Sequence, residues 1–131
     1  MFFWMTACQT TDSKAISLKE VLSSFEEQEL LLKEREVSGD KNIFGMKLNG
    51  VRPSVYELNG KMLSVYIYDS TKERERGLDD FHDKTAFANV VSYNYYDVKN
   101  VLLFYVHERD LSLEVEVHEN IQKVINALDK D

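Results

Sequence analysis

The single cysteine of the chain lies in a setting that suits covalent lipid attachment. Cys8 follows Thr6 and Ala7, and the apolar residues 1–5 precede them. In a bacterial lipobox, small residues before the cysteine fit the signal peptidase, and the thiol receives a diacylglycerol group. Met5 stands where Leu is usual, and the short upstream run has no Lys or Arg, so a complete signal peptide would need an earlier start codon. The pattern predicts lipidation at Cys8; the alternative is an apolar N-terminus with an incidental cysteine.

The three histidines are the other side chains suited to acid–base or metal chemistry. His82 lies in the acidic sequence 79–83, His118 comes four residues after Glu114, and His107 is followed by a glutamate. Zinc needs three or four ligands, whereas two at helical spacing are common on charged helix surfaces. Gly-x-Ser-x-Gly and Gly-x-Gly-x-x-Gly motifs are absent from the sequence. We therefore predict no catalytic residue, metal site or cofactor, and keep as the alternative an envelope hydrolase or metal-dependent enzyme using His82, His107 or His118 with nearby carboxylates.

Tyrosines provide the candidate binding surface. In residues 61–69, aliphatic side chains alternate with Ser64, Tyr66 and Tyr68, which places aliphatics on one strand face and tyrosines on the other. Tyrosine combines a large apolar ring with a polar tip, which suits recognition of a protein or glycan. If the tyrosine-bearing strands are neighbours, their rings form one surface that the helices leave uncovered; the alternative is strand tyrosines without a ligand. The predicted surface comprises Tyr66, Tyr68, Tyr93, Tyr95, Tyr105 and His107.

Composition limits the classes of partner. The chain has 131 residues, 44% of them hydrophobic, which is enough for one core. Its 23 acidic and 16 basic residues give a net charge of −7, the wrong sign for a nucleic-acid backbone. No apolar run after Cys8 approaches the ~18 residues of a membrane span, so membrane contact is predicted only through the lipid. We divide the chain into a truncated signal, lipobox and polar tether over residues 1–17 and a single domain over residues 18–131.

Three helices are predicted from caps and apolar spacing. A serine three residues before a glutamate, at Ser17 and Ser70, forms a capping-box pattern. It predicts helices over residues 18–28 and from residue 70 to about residue 84. A third helix is predicted over residues 113–129, in preference to a strand, because its apolar stripe continues for four turns.

Strand patterns separate these helices. Asn59-Gly60 tolerates the positive φ angles of a type I′ turn and predicts a hairpin. The connection over residues 38–54 is predicted to be irregular. The predicted strands cover residues 30–37, 55–58, 61–69, 89–97 and 100–107.

The order α-β-ββ-α-ββ-α predicts an α+β fold. Short hairpins favour an antiparallel sheet, so we expect a two-layer domain with four to five strands and helices mainly on one face. The predicted core comprises Phe25, Leu63, Val65, Ile67, Leu78, Phe81, Leu102, Phe104, Val124 and Leu128.

Several segments together resemble a known group of proteins. Residues 21–25 (Val-Leu-Ser-Ser-Phe), the turn at residues 68–73 before a charged helix, and residues 100–104 before a polar C-terminal helix are similar to small extracytoplasmic lipoproteins of Bacillus-like Gram-positive bacteria. The resemblance covers about residues 18–129 and rests on pattern and order. It implies a surface lipoprotein of unassigned activity on the outer face of the cell membrane. We predict that the protein is noncatalytic and acts as a binding or protective module for an envelope component or extracellular protein. The resemblance supplies no catalytic or ligand-binding residues to transfer.

Overall fold

The computed structural model describes residues 15–36, 42–88, 90–108 and 111–130. Cys8 and most of the predicted tether lie outside these residues, so lipidation stays a prediction. The helices are α1 (Leu18–Glu27), α2 (Thr71–Thr85) and α3 (Leu111–Asp129), and Ile43–Gly45 forms a short 3-10 helix. The strands are β1 (Lys33–Glu34), β2 (Ser54–Leu58), β3 (Lys61–Ile67), β4 (Asn94–Val98) and β5 (Val101–Val106).

The predicted α+β class and element order are confirmed. The strands form one antiparallel sheet in the order β1-β2-β3-β5-β4. Asn59 and Gly60, with φ of 52° and 79°, form the two-residue turn between β2 and β3. The C-terminal segment is helical, as its apolar stripe predicts.

The first strand is much shorter than residues 30–37. Lys33 pairs with Glu57, so the same register would place Leu31 opposite Asn59, which belongs to the turn and offers no strand. The ladder therefore cannot extend toward the preceding leucines. These leucines pack beside α1 instead, with Leu30 buried and Leu31 exposed.

Both ends of α1 are defined by local hydrogen bonds. The Ser17 hydroxyl accepts from the Glu20 N–H, and the Glu20 carboxylate accepts from the Ser17 N–H, each at 3.2 Å. At the other end, Glu29 adopts a left-handed φ of 60°, and the Leu30 N–H donates to the Phe25 carbonyl at 3.0 Å. This is the hydrogen-bond pattern of a Schellman motif.

Helices cover both faces of the sheet. On one face, here called the helical face, α1 and α3 pack against aliphatic side chains such as Leu63, Val65 and Leu103. On the other, here called the loop face, α2 and the irregular segment 42–51 cover the sheet. Two of the three helices therefore share a face as predicted, while the third forms an additional layer. Successive residues of β5 are apolar and point alternately to the two faces, so the sheet is buried on both sides.

The predicted core is largely confirmed. Seven of its members are buried, and Ile67, Leu78 and Leu128 are half-buried against the same clusters. None of the helices in the described ranges is long and apolar enough to cross a membrane.

Candidate functional site

The predicted tyrosine surface is wrong, because most of its members are interior residues. Tyr95, with 45% of its surface accessible, is the exposed ring of the set, and Tyr93 is half-buried. The remaining rings also divide between the two faces of the sheet, since Tyr105 packs on the helical face. The buried members are Tyr66, Tyr68, Tyr105 and His107.

The tyrosines in and directly after β3 have a structural role. Hydroxyls of alternate residues from Ser64 to Tyr68 donate to alternate backbone carbonyls of segment 42–51, an arrangement we call the hydroxyl ladder. Because this segment has no strand partner along this stretch, its buried carbonyls need donors from side chains. The ladder joins Ser64 to Phe44 (2.6 Å), Tyr66 to Met46 (2.7 Å) and Tyr68 to Leu48 (3.0 Å).

Burial keeps the two ladder phenols protonated. It raises the pKa of Tyr66 and of Tyr68 well above the ordinary value of 10. The neighbouring Tyr68 raises the pKa of Tyr66 further, and the Asp80 carboxylate does the same for the pKa of Tyr68. Both phenols therefore remain hydrogen-bond donors at neutral pH.

Helix α2 packs over segment 42–51 and holds it by hydrogen bonds, including one from the Asn49 N–H to Asp80. Desolvation opposes ionisation of Asp80, but its hydrogen bonds from the Asn49 N–H (2.8 Å) and Lys84 (3.0 Å) outweigh it and lower the pKa of the carboxyl. Gly77 lets the helix approach Tyr68, because a Cβ at this position would lie 2.5 Å from the ring Cζ. The mid-helix glycine thus follows from packing.

The structure does not assemble the three histidines into a site. His82 is exposed on α2 and His118 is exposed on α3, so they lie on opposite sides of the sheet, while His107 is buried after β5. His118 Nδ1 lies 2.9 Å from the Tyr96 hydroxyl. Among the residues that the structure describes, no three His, Cys, Asp or Glu side chains are grouped to hold a metal ion.

An open apolar groove lies between α1 and residues 29–34, here called the α1 groove. Its volume is about 690 Å³. Leu31 lines it with 75% of its surface exposed, although most leucines in this domain are buried or half-buried. The apolar lining consists of Leu18, Leu22, Leu30, Leu31, Leu32 and Tyr56.

Carboxylates border the same groove. Glu26, Glu29 and Glu34 line it, against one cation, Lys19. No ion pair within the described residues involves any of the three glutamates. The groove therefore combines an apolar floor with a negative rim.

A second cavity, of about 490 Å³, lies by the Asn59-Gly60 turn on the loop face and provides a contrast. Its lining includes Lys61 and Glu108, whose charged groups pair at 3.0 Å. Lys61 and Glu108 thus neutralise each other and Arg35 adds a positive charge at this cavity, whereas the carboxylates of the α1 groove exceed its cations.

The sequence does not predict the α1 groove, because its walls come from elements with separate signals. The helical spacing of Leu18 and Leu22 predicts the core face of a helix, and residues 30–32 belong to a predicted strand. Only the shortened β1 leaves these leucines beside α1. The run of glutamates around them was the one available signal.

Comparisons of the chain with protein-family models, with curated proteins and with solved structures find no match. The fold and site define an α+β domain with an open apolar groove bordered by carboxylates. What this groove does must follow from its own geometry.

Proposed function

We propose that the protein is a noncatalytic lipoprotein on the outer face of a bacterial cell membrane, and that its domain binds or shields an envelope component or extracellular protein through the α1 groove. The lipobox pattern at Cys8, the polar residues that follow it and the resemblance to small Gram-positive lipoproteins support the location. The α1 groove is the observation that supports binding.

The dimensions and lining of the α1 groove suit a ligand. Its volume of about 690 Å³ lies within the usual range of binding clefts, roughly 300–1,000 Å³. Leu31 remains mostly exposed there, and covering such a side chain with a partner contributes about 1–2 kcal/mol. An exposed leucine on a groove wall is therefore better explained by a partner than by folding.

The attachment of the chain to the domain supports a tethered role. The Ile16 N–H donates to Asn100 Oδ1 at 2.7 Å, and Asn100 Nδ2 donates to the Ile16 carbonyl at 2.9 Å. These two hydrogen bonds hold the chain to the domain immediately before α1. Residues 9–15 between Cys8 and this contact can span at most about 25 Å. A lipid at Cys8 would keep the α1 groove near the membrane surface.

The first experiment tests location. The complete reading frame, with its upstream sequence, is expressed in a Gram-positive host as the wild type, as Cys8→Ser and as the tether control Thr10→Ser. We expect the wild type and Thr10→Ser in the membrane fraction and accessible to external protease, because the diacyl group anchors firmly. Cys8→Ser should be released or left unprocessed. Equal soluble partitioning of all three forms would refute the lipoprotein assignment.

The second experiment tests the groove. Nile red, a neutral dye that fluoresces in apolar sites, is titrated into the full chain carrying Cys8→Ser. Leu31→Asn should weaken dye binding several-fold, roughly the loss of one apolar contact. Phe87→Asn is the matched control, since Phe87 is fully exposed and does not line the α1 groove. Absence of dye binding, or equal effects of the two substitutions, would refute the groove as the binding site.

A further inference from the structure

We infer that the α1 groove takes a cationic amphipathic peptide segment, with its apolar side on the leucines and its Lys or Arg side chains at the carboxylate rim. This inference rests on the proposed binding function of the groove and adds the chemistry of the partner. Three features of the groove support it.

The first feature is carboxylate charge that no ion pair of the described residues compensates. Glu26, Glu29 and Glu34 face one lysine in the lining of the α1 groove, and no ion pair of the described residues engages them. The whole chain carries a net charge of −7, so the more distant field has the same sign. A cationic partner gains from both, in association rate and in specificity.

The second feature is the end of α1. The last turn of a helix favours Lys, Arg or His, because its free carbonyls form the negative end of the helix dipole. Here the last turn has no basic residue and contains Glu26 and Glu27. Acidic residues at this end oppose helix stability and deepen the negative potential beside the α1 groove. Positively charged side chains of a partner would offset this negative potential at the end of α1.

The third feature is the conformation of Glu29. Its φ of 60° is left-handed, at the helix-end position that glycine normally occupies. The chain therefore keeps a carboxylate on the wall of the α1 groove where glycine would be the less strained residue. The carboxylate of Glu29 thus adds to the negative rim of the α1 groove.

The same features argue against other occupants. An anionic lipid surface would be repelled by the three carboxylates. A second copy of the chain would bring another net charge of −7. The chain's own residues 1–5 match the apolar floor but carry no Lys or Arg for the rim. A free metal ion would bind oxygen ligands only and would leave the leucines of the groove exposed.

The test uses two synthetic peptides of about 18 residues, long enough to form a helix on binding. Both carry Leu on one face; the other face is Lys in one peptide and Glu in its matched partner. Binding to the full chain with Cys8→Ser is measured by calorimetry at low and high salt. We expect the Lys peptide to bind roughly tenfold or more tightly than the Glu peptide, with the difference shrinking as salt rises.

Matched charge variants locate the effect. The groove triple variant Glu26→Gln, Glu29→Gln, Glu34→Gln should weaken the Lys peptide by about tenfold. The remote triple variant Glu75→Gln, Asp79→Asn, Glu116→Gln changes net charge equally at exposed positions outside the α1 groove and should have little effect. Equal weakening by both would mean general attraction to an acidic protein and would overturn the inference.

The remaining outcomes separate the inference from the proposed function. If both peptides bind alike and Leu31→Asn weakens both, the groove binds partners but the charge inference fails. If Nile red binds and the Lys peptide does not, the inference alone fails. If neither Nile red nor the Lys peptide binds, the proposed binding function fails as well. Removal of residues 1–7 that strengthens both peptides equally would assign the α1 groove to the chain's own N-terminus, and self-association abolished by Leu31→Asn would assign it to a second copy.

Discussion

The helical face and the loop face of the sheet are both buried, but different structures cover them. On the helical face, α1 and α3 satisfy their own backbone hydrogen bonds, so the sheet meets them mainly with aliphatic side chains and a few tyrosines. On the loop face, segment 42–51 has carbonyls to satisfy, so Ser64, Tyr66 and Tyr68 supply the hydroxyl ladder. Aromatic rings fill the rest, with Phe81 and Phe104 centroids 4.5 Å apart. Tyrosine on a strand can therefore indicate an irregular cover as well as an open surface.

The largest expected effect compares the two faces directly. Phe25→Ala on the helical face and Phe104→Ala on the loop face should each lower the free energy of unfolding by about 3–5 kcal/mol, because both side chains are fully buried. Denaturant unfolding followed by fluorescence and by circular dichroism measures this. Phe87→Ala, at an exposed position, is the control. A loss below about 1 kcal/mol at either site would show that its face contributes little.

High pH should act on the loop face. The folded-state pKa values of Tyr66 and Tyr68 are raised, so their contribution to stability is complete below the unfolded-state pKa of about 10 and is lost as pH rises through the folded-state values. We expect the thermal midpoint to fall above about pH 10, with tyrosinate absorbance rising as the protein unfolds. In Tyr66→Phe, Tyr68→Phe the alkaline decline relative to its own neutral-pH midpoint should be smaller. An unchanged decline would assign it to other groups.

Removing one hydroxyl of the ladder should loosen the cover more than the sheet. Tyr66→Phe leaves the Met46 carbonyl without this donor, which costs about 1–3 kcal/mol. Amide hydrogen exchange should accelerate most within segment 42–51, for example at the Gly45 N–H, and least in α1. Tyr95→Phe at the exposed ring is the control. Uniform acceleration across the domain would contradict a local role for the ladder.

The smallest effect tests the approach of α2 to the sheet. Helix propensity alone predicts that Gly77→Ala stabilises by up to ~1 kcal/mol. Overlap with the Tyr68 ring should reverse the sign and leave a net loss of about 1 kcal/mol. Asp79→Ala, exposed on the same helix, should gain a few tenths of a kcal/mol in thermal unfolding. If Gly77→Ala stabilises the protein, the Tyr68 ring can move aside without a measurable loss of stability.

Local signals in the sequence predicted the framework well. Ser17 and Ser70 cap helices, and Asn59-Gly60 makes its turn, because each depends on residues adjacent in the chain. The stripe of α3 likewise needs only its own periodicity. The core positions Phe25 and Phe104 follow from these elements.

The candidate site was harder to predict because it depends on distant segments. The burial of Tyr66 and Tyr68 is caused by segment 42–51, whose irregular backbone has no periodic pattern to indicate where it lies. Similarly, Leu31 becomes a groove residue only because β2 ends at Leu58 and leaves it no strand partner. The sequence shows that leucines and glutamates occur in this region. Only the folded structure shows that they line the same groove.

The contact between Asn100 and Ile16 has a mechanical consequence. Asn100 also donates to the Tyr68 carbonyl at 2.8 Å, so it links the entering chain to the ends of β3 and β5 in the middle of the sheet. In the proposed lipoprotein, tension on the residues before Ile16 would therefore reach these central strands through paired amide hydrogen bonds. Because Ile16 precedes Leu18, this load path meets the sheet before it reaches α1. A pull on the N-terminal residues would then act on the sheet first and on the walls of the α1 groove second.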